Sequence, residues 1–175
     1  MKKMVLVMVV LAGAALAQSD KDAGCPMHAE HMKAQHEHAG MQDRGAEEHG
    51  MGFSQEATTH HFRLTREGGV IEVTAKDAKD ERSIAQVQMH IEHIAQAFAA
   101  GDFAIPHFVH DQEPPGVKVM QERKSELGYK AERLKNGARL VITAKSPETM
   151  KALHDFLRFQ INEHETGDAL EVAAK

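Results

Sequence analysis

The chain has 175 residues, 42% of them hydrophobic, and 26 acidic against 21 basic side chains give a formal net charge of −5. That length suits one domain with a tail rather than two large domains, and the acidic balance excludes a phosphate-binding nucleic-acid surface. Thirteen His, ten Met and a single Cys, against no Trp and one Tyr, direct attention to metal ions.

Met1-Lys2-Lys3 supplies a positive start, Met4 to Ala14 an apolar run, and Ala15-Leu16-Ala17 a small-x-small cleavage site before Gln18. Residues 1–17 therefore read as a cleaved signal peptide, and the mature chain is expected to be periplasmic or secreted. Cleavage removes Lys2 and Lys3 and takes the net charge from −5 to −7. The apolar run is too short for a permanent span, so no membrane insertion is expected after cleavage. Asp22 stands where a lipobox before Cys25 takes an aliphatic residue, which argues against lipidation. In an oxidising compartment a lone Cys25 has no internal disulfide partner.

Residues 18–52 form the expected tail. Between positions 25 and 51 lie Cys25, Met27, His28, His31, Met32, His36, His38, Met41, His49 and Met51, ten donors in 27 positions, with no aliphatic side chain larger than alanine apart from the methionines. Such a segment lacks the apolar surface to fold alone and is expected to be disordered. Thiolate and thioether sulfur suit Cu(I), while imidazole suits Cu(II), zinc and nickel, so the mixture can hold copper in either oxidation state. Copper is preferred to zinc because methionine adds little for zinc, and haem ranks lower still.

Cys25-Pro26-Met27-His28 resembles the Cys-Pro-Met-His signature of small heavy-metal-binding segments attached to bacterial copper-transporting ATPases and efflux components. Here Gly24 and Ala29 flank the motif in place of the usual aromatic residue and proline. The resemblance implies metal traffic and carries no fold. A longer one spans residues 50–170: Gly50-Met51-Gly52-Phe53-Ser54-Gln55, Thr58-Thr59-His60-His61-Phe62, His110-Asp111-Gln112 and Pro114-Pro115-Gly116 resemble a family of small exported bacterial proteins without assigned function.

The body, residues 53–170, reads as two similar halves, pseudo-repeats 59–102 and 127–168. Thr59 to Thr65 and Val70 to Lys76 alternate around the turn Glu67-Gly68-Gly69, predicting a hairpin. Ile84, Val87, Ile91, Ile94 and Phe98 then follow at helical spacing, ending before Gly101-Asp102. An irregular segment is expected from Phe103 to Gly116, and a short helix from Val117 to Glu126. Leu127 to Leu134, the turn Lys135-Asn136-Gly137 and Ala138 to Ala144 predict a second hairpin. Ser146 before Pro147 opens a second helix with Met150, Leu153, Leu157 and Ile161 inward, running to about His164, with Gly167 closing it. Val73-Thr74-Ala75-Lys76 parallels Ile142-Thr143-Ala144-Lys145. The expected fold is α+β: a duplicated ββα unit giving a four-stranded antiparallel sheet with helices on one face, preceded by the disordered His/Met-rich tail.

Five histidines of the body are candidate ligands. On a helix of 100° per residue His90 sits about 70° and His93 about 130° from the centre of the apolar stripe, and positions i and i+3 can reach one ion. Consecutive His60 and His61 point to opposite faces of a strand, with His60 beside Phe62 and Leu64. The stretch from Ile105 to Pro115 is apolar enough to demand burial, which would draw in His107, His110 and Asp111; Asp111 could serve as a partner to a ligating His110. His164 is expected to complement the helix C-terminal partial charge. Phe156 and Phe159 lie outside the predicted stripe and suggest a further contact surface.

Two classes of function follow. One is a copper-binding protein that sequesters or delivers the ion through its tail, its partners being metal ions and a metal transporter or recipient metalloprotein. The other is a metal- or haem-dependent redox protein or enzyme with its site at His61, His90, His93 and His110, the tail serving as loader. An envelope interaction module is the blander alternative. The enzyme reading is the weaker, since the sequence has no H-E-x-x-H, no C-x-x-C-H, no hydrolase triad signature and no phosphate loop. No catalytic residue is assigned, and the oligomeric state is not legible.

Overall fold

The computed structural model describes residues 51–172. The tail positions before Met51, with their expected disorder and the signal peptide, lie outside the described residues. Strand β1 (Thr58–Thr65) and strand β2 (Gly68–Ala75) form the first hairpin, followed by helix α1 (Glu81–Ala100). Helices α2 (Ala104–His110) and α3 (Val117–Glu122) and a 3₁₀ turn (Lys124–Glu126) connect to strands β3 (Leu127–Leu134) and β4 (Gly137–Ala144) and to helix α4 (Pro147–Glu163). The sheet is antiparallel throughout, in the order β1-β2-β4-β3. The fold is α+β, a four-stranded antiparallel sheet with helices.

Alternation decides which face is buried. Phe62 and Leu64 on β1, Ile71 and Val73 on β2, and Ala138, Leu140 and Ile142 on β4 share one face and pack into one core with Val87, Ile91, Ile94 and Phe98 of α1 and Leu153, Phe156, Leu157 and Ile161 of α4. The opposite face carries a row of charge: His61 stands opposite Glu72, Glu72 opposite Arg139, and Arg139 opposite Glu132. Arg63 pairs with Glu72 at 2.6 Å and Arg139 with Glu132 at 2.7 Å, which suits a solvated sheet surface.

Each long helix packs mainly on the hairpin of the other half, α1 on β4 and β3, α4 on β1. Side chains fix this crossing. Gln88 Nε2 donates to the carbonyls of Leu134 and Gly137, at 3.1 and 3.2 Å, and His154 Nε2 lies 3.1 and 2.9 Å from those of Thr65 and Gly68. Helix α1 starts on Asp80, whose carboxylate accepts from Ser83 N, and ends on Gly101 at φ 84°. Helix α4 starts with a capping box between Ser146 and Thr149 and has Pro147 in its first turn.

Four local expectations need correction. Residues 104–110 are helical, because Pro106 falls in the first turn, where its missing N–H has no intrahelical partner to lose. Helix α4 ends at Glu163 with His164 as its cap, so Gly167, at φ 71°, belongs to the turn beyond. Met150 is only partly buried, while Phe156 is 1% exposed: its ring lies 5.9 Å from Phe98 and 6.1 Å from Phe103. The segment after α1 covers that flank of α4, so the buried arc is wider than a two-sided stripe. Phe156 is therefore core, and Phe159 packs edge-on against His110 at 5.0 Å. Among the described residues, no helix is long and apolar enough to cross a membrane.

Candidate functional site

The site begins with the alternation of β1, which sends His60 to the same side as Phe62 and places an imidazole within the apolar face. Its ring lies 5.6 Å from Phe53 and 5.5 Å from His164, nearly parallel to both. Helix α1 brings His90 edge-on to Phe53 at 5.1 Å. Helix α2 brings His110 to within 5.1 Å of His164, nearly perpendicular to it. His164 arrives from the end of α4. Four imidazoles from four elements thus surround one cavity of about 60 Å3, whose wall also includes Met51 and Gln160.

Burial sets the charge of this cluster. Desolvation, with the nearby His61 adding to it, lowers His60 from 6.5 to about 4. Desolvation, with His60 and His110 adding to it, lowers His164 from 6.5 to about 4 as well. Both rings are neutral at neutral pH. His164 is consequently no cation at the helix C-terminus; the correction follows from its ring turning into the cavity instead of toward solvent.

His110 is held on two sides. Nε2 lies 3.2 Å from Gln160 Oε1, and Nδ1 lies 3.9 Å from Glu163 Oε2. Asp111 is exposed and in the left-handed region at φ 49°, so it caps α2 and does not partner His110. His107 is exposed too. The apolar segment turns inward only in part: Pro106 is buried and Ile105 and Val109 are half-buried, while Phe108 is exposed, and the helix sends only one of its two imidazoles inward.

His60 Nε2 and Gln160 Nε2 are buried without a hydrogen-bond partner. A buried polar atom left unpaired costs roughly 1–3 kcal/mol, so two in one cavity mark a place suited to a ligand or ordered water. As they stand, no three His, Cys, Asp or Glu side chains among the described residues are placed to hold an ion together. The cavity is far smaller than the roughly 300–1,000 Å3 of small-molecule sites and has no room for a porphyrin.

The structure brings together four of the candidate ligands, Met51, His60, His90 and His110. His61 is on the opposite face of β1, where Nδ1 lies 3.0 Å from Asp168 Oδ1; Asp168 Oδ2 also accepts from Phe62 N at 2.8 Å. His93 is half-buried on α1 and outside the cavity wall. Cys25, Met27, His28, His31, Met32, His36, His38, Met41 and His49 lie outside the described residues. His164 and Gln160 are the residues that sequence reasoning missed. The available signal was spacing: His164 follows Leu153, Leu157 and Ile161 at steps of four, four and three, continuing the buried stripe.

No protein-family model, no curated protein and no solved structure matches the chain.

Proposed function

We propose that the protein is an exported copper-binding protein that captures the ion with the segment from Cys25 to Met51 and stores it or passes it to a transporter or recipient metalloprotein. One observation carries the reading: ten sulfur and imidazole donors in 27 positions behind an export signal. Thioether and thiolate sulfur favour Cu(I), and interleaved imidazole retains Cu(II) if the ion is oxidised. The resemblance of Cys25-Pro26-Met27-His28 to heavy-metal-binding segments supports metal traffic.

Competition against a chelator of known affinity tests this with Cu(I), Cu(II) and Zn(II) on the mature chain. The proposal expects submicromolar copper binding, most of it lost when the nine donors from Cys25 to His49 are replaced by Ser or Ala. Affinities no tighter than about micromolar for all three ions, or about −8 kcal/mol of binding free energy, would refute it.

A second reading, a metal-dependent redox protein with its site in the body, is favoured by the convergence of His60, His90 and His110 on one cavity. A visible absorption band in protein purified from its native host would support that reading over storage.

The body itself is proposed to derive from duplication of a ββα unit. The offset that carries Val73-Thr74-Ala75-Lys76 onto Ile142-Thr143-Ala144-Lys145 also carries Ile71 onto Leu140, and those two residues face each other across β2 and β4. The same offset carries the two carbonyls held by His154, Thr65 and Gly68, onto the two held by Gln88, Leu134 and Gly137.

A further inference from the structure

Met51 is the last donor of the series that begins at Cys25, and it is 7% exposed in the wall of the cavity that contains His60 and His164. The series of sulfur and imidazole donors therefore ends inside the folded body. We infer that the body has its own copper site, distinct from the tail, in which one Cu(I) ion is held in this cavity by His60 Nε2, the His164 imidazole and the Met51 thioether.

Each donor is chosen on an observation. His60 Nε2 is buried and has no partner. The His164 ring is stacked on that of His60, at 5.5 Å between ring centroids. The two rings are stacked 13° from parallel and their nitrogen lone pairs lie in the ring planes, so both imidazoles turn edge-on, out of the stack, to share an ion about 2 Å from each nitrogen. Met51 supplies the soft donor that prefers Cu(I) to zinc. His110 is excluded because Gln160 Oε1 and Glu163 Oε2 already flank its two nitrogens; it packs against His164 and acts as a positioning residue.

The oxidation state follows from the surroundings. Phe53, Phe62, Ile71 and Val73 line the cavity, and no carboxylate among the described residues does. The cost of burying an ion rises with the square of its charge, so a dication would cost about four times as much as a monocation here. Cu(I) also accepts two or three ligands. That agrees with a cavity in which, among the described residues, no three His, Cys, Asp or Glu side chains are placed to hold an ion together, whereas a structural zinc site needs four ligands. A volume of about 60 Å3 accommodates a bare ion or a few waters.

The site deepens the copper reading above and rests on it, and one set of anaerobic Cu(I) titrations separates the two. The proteins are the full mature chain and the same chain with the nine donors from Cys25 to His49 replaced. The replaced chain should retain one tight equivalent. His60→Gln, His164→Gln or Met51→Leu in that background should weaken it at least about tenfold, the lower end of what loss of even an outer partner costs. X-ray absorption of the one-equivalent complex, which does not depend on any variant folding, should show nitrogen and sulfur neighbours. If the replaced chain binds no copper while the mature chain does, the tail reading stands and the body site is overturned. If the mature chain binds no more than the single equivalent of the replaced chain, the body site stands and the tail reading fails. One equivalent unmoved by all three variants, or without sulfur in its X-ray absorption, also overturns the assignment.

Discussion

Lowering the pH below 6.5 should loosen the metal-free body through two buried histidines. His60 and His164 are both lowered from 6.5 to about 4 by burial, so between those values the unfolded chain binds protons that the folded chain does not. The stability these rings permit is complete above pH 6.5 and falls as pH drops toward 4, where the loss levels off. At about 1.4 kcal/mol per pH unit the shift amounts to roughly 3 kcal/mol per ring. The rings are neighbours and each disfavours charge on the other, so the loss belongs to the pair and lies between about 3 and 7 kcal/mol. Other titratable side chains facing the cluster are His110 beside Glu163, and His61 beside Asp168 behind β1. Asp80, Glu92, Glu126, Glu132 and Asp168 all have carboxyls held below their usual values of 3.8 to 4.5, so their contribution disappears at lower pH still. Urea unfolding of chelator-treated protein, followed by far-UV circular dichroism from about pH 7.5 to about pH 4.5, measures the slope. The double variant His60→Phe/His164→Phe keeps aromatic rings in the stack and should flatten that slope. A wild-type protein equally stable at both ends, or a slope unchanged in the double variant, would refute the reasoning.

Phe156→Ala should cost about 3–5 kcal/mol in urea unfolding, as for a fully buried ring, whereas an exposed contact residue would cost less than about 1. Gly116→Ala should lower the thermal midpoint sharply, because at φ 84° its Cβ would come within 2.1 Å of the Ala152 carbonyl oxygen of α4; an unchanged midpoint would show that α3 and α4 are not packed this closely. Asp168→Asn should destabilise by about 1–3 kcal/mol through its bonds to Phe62 N, Thr166 Oγ1 and His61 Nδ1, with hydrogen exchange quickening first at Phe62.

The sequence revealed those elements in which one local rule is sufficient. The turn Lys135-Asn136-Gly137 bounds the end of β3, and Ser146 and Pro147 fix the start of α4. The helix at 104–110 was hidden because Pro106 resembles a breaker unless its place in the turn is known. Phe156 was misplaced because the width of a buried arc depends on how many neighbours a helix has, which is a tertiary fact. The candidate site was legible only in part. His60 was correctly assigned to the inner face from strand parity, and His90 to the shoulder of α1 from helical phase. Their meeting with His110 and His164 depends on α1, α2 and α4 docking on β1 together, and no spacing in the sequence encodes that. Local chemistry misled at His164: a histidine at a helix end suggests a solvated cation, yet its ring is buried against His60.

The central claim, that export delivers a copper-binding chain, is tested most directly by the metal content of the protein itself. Elemental analysis of material recovered from the envelope of cells grown with copper and zinc both supplied should find at least one copper atom per chain, in excess of zinc. Protein free of any stoichiometric transition metal, and unaltered in stability when copper is added back, would contradict it.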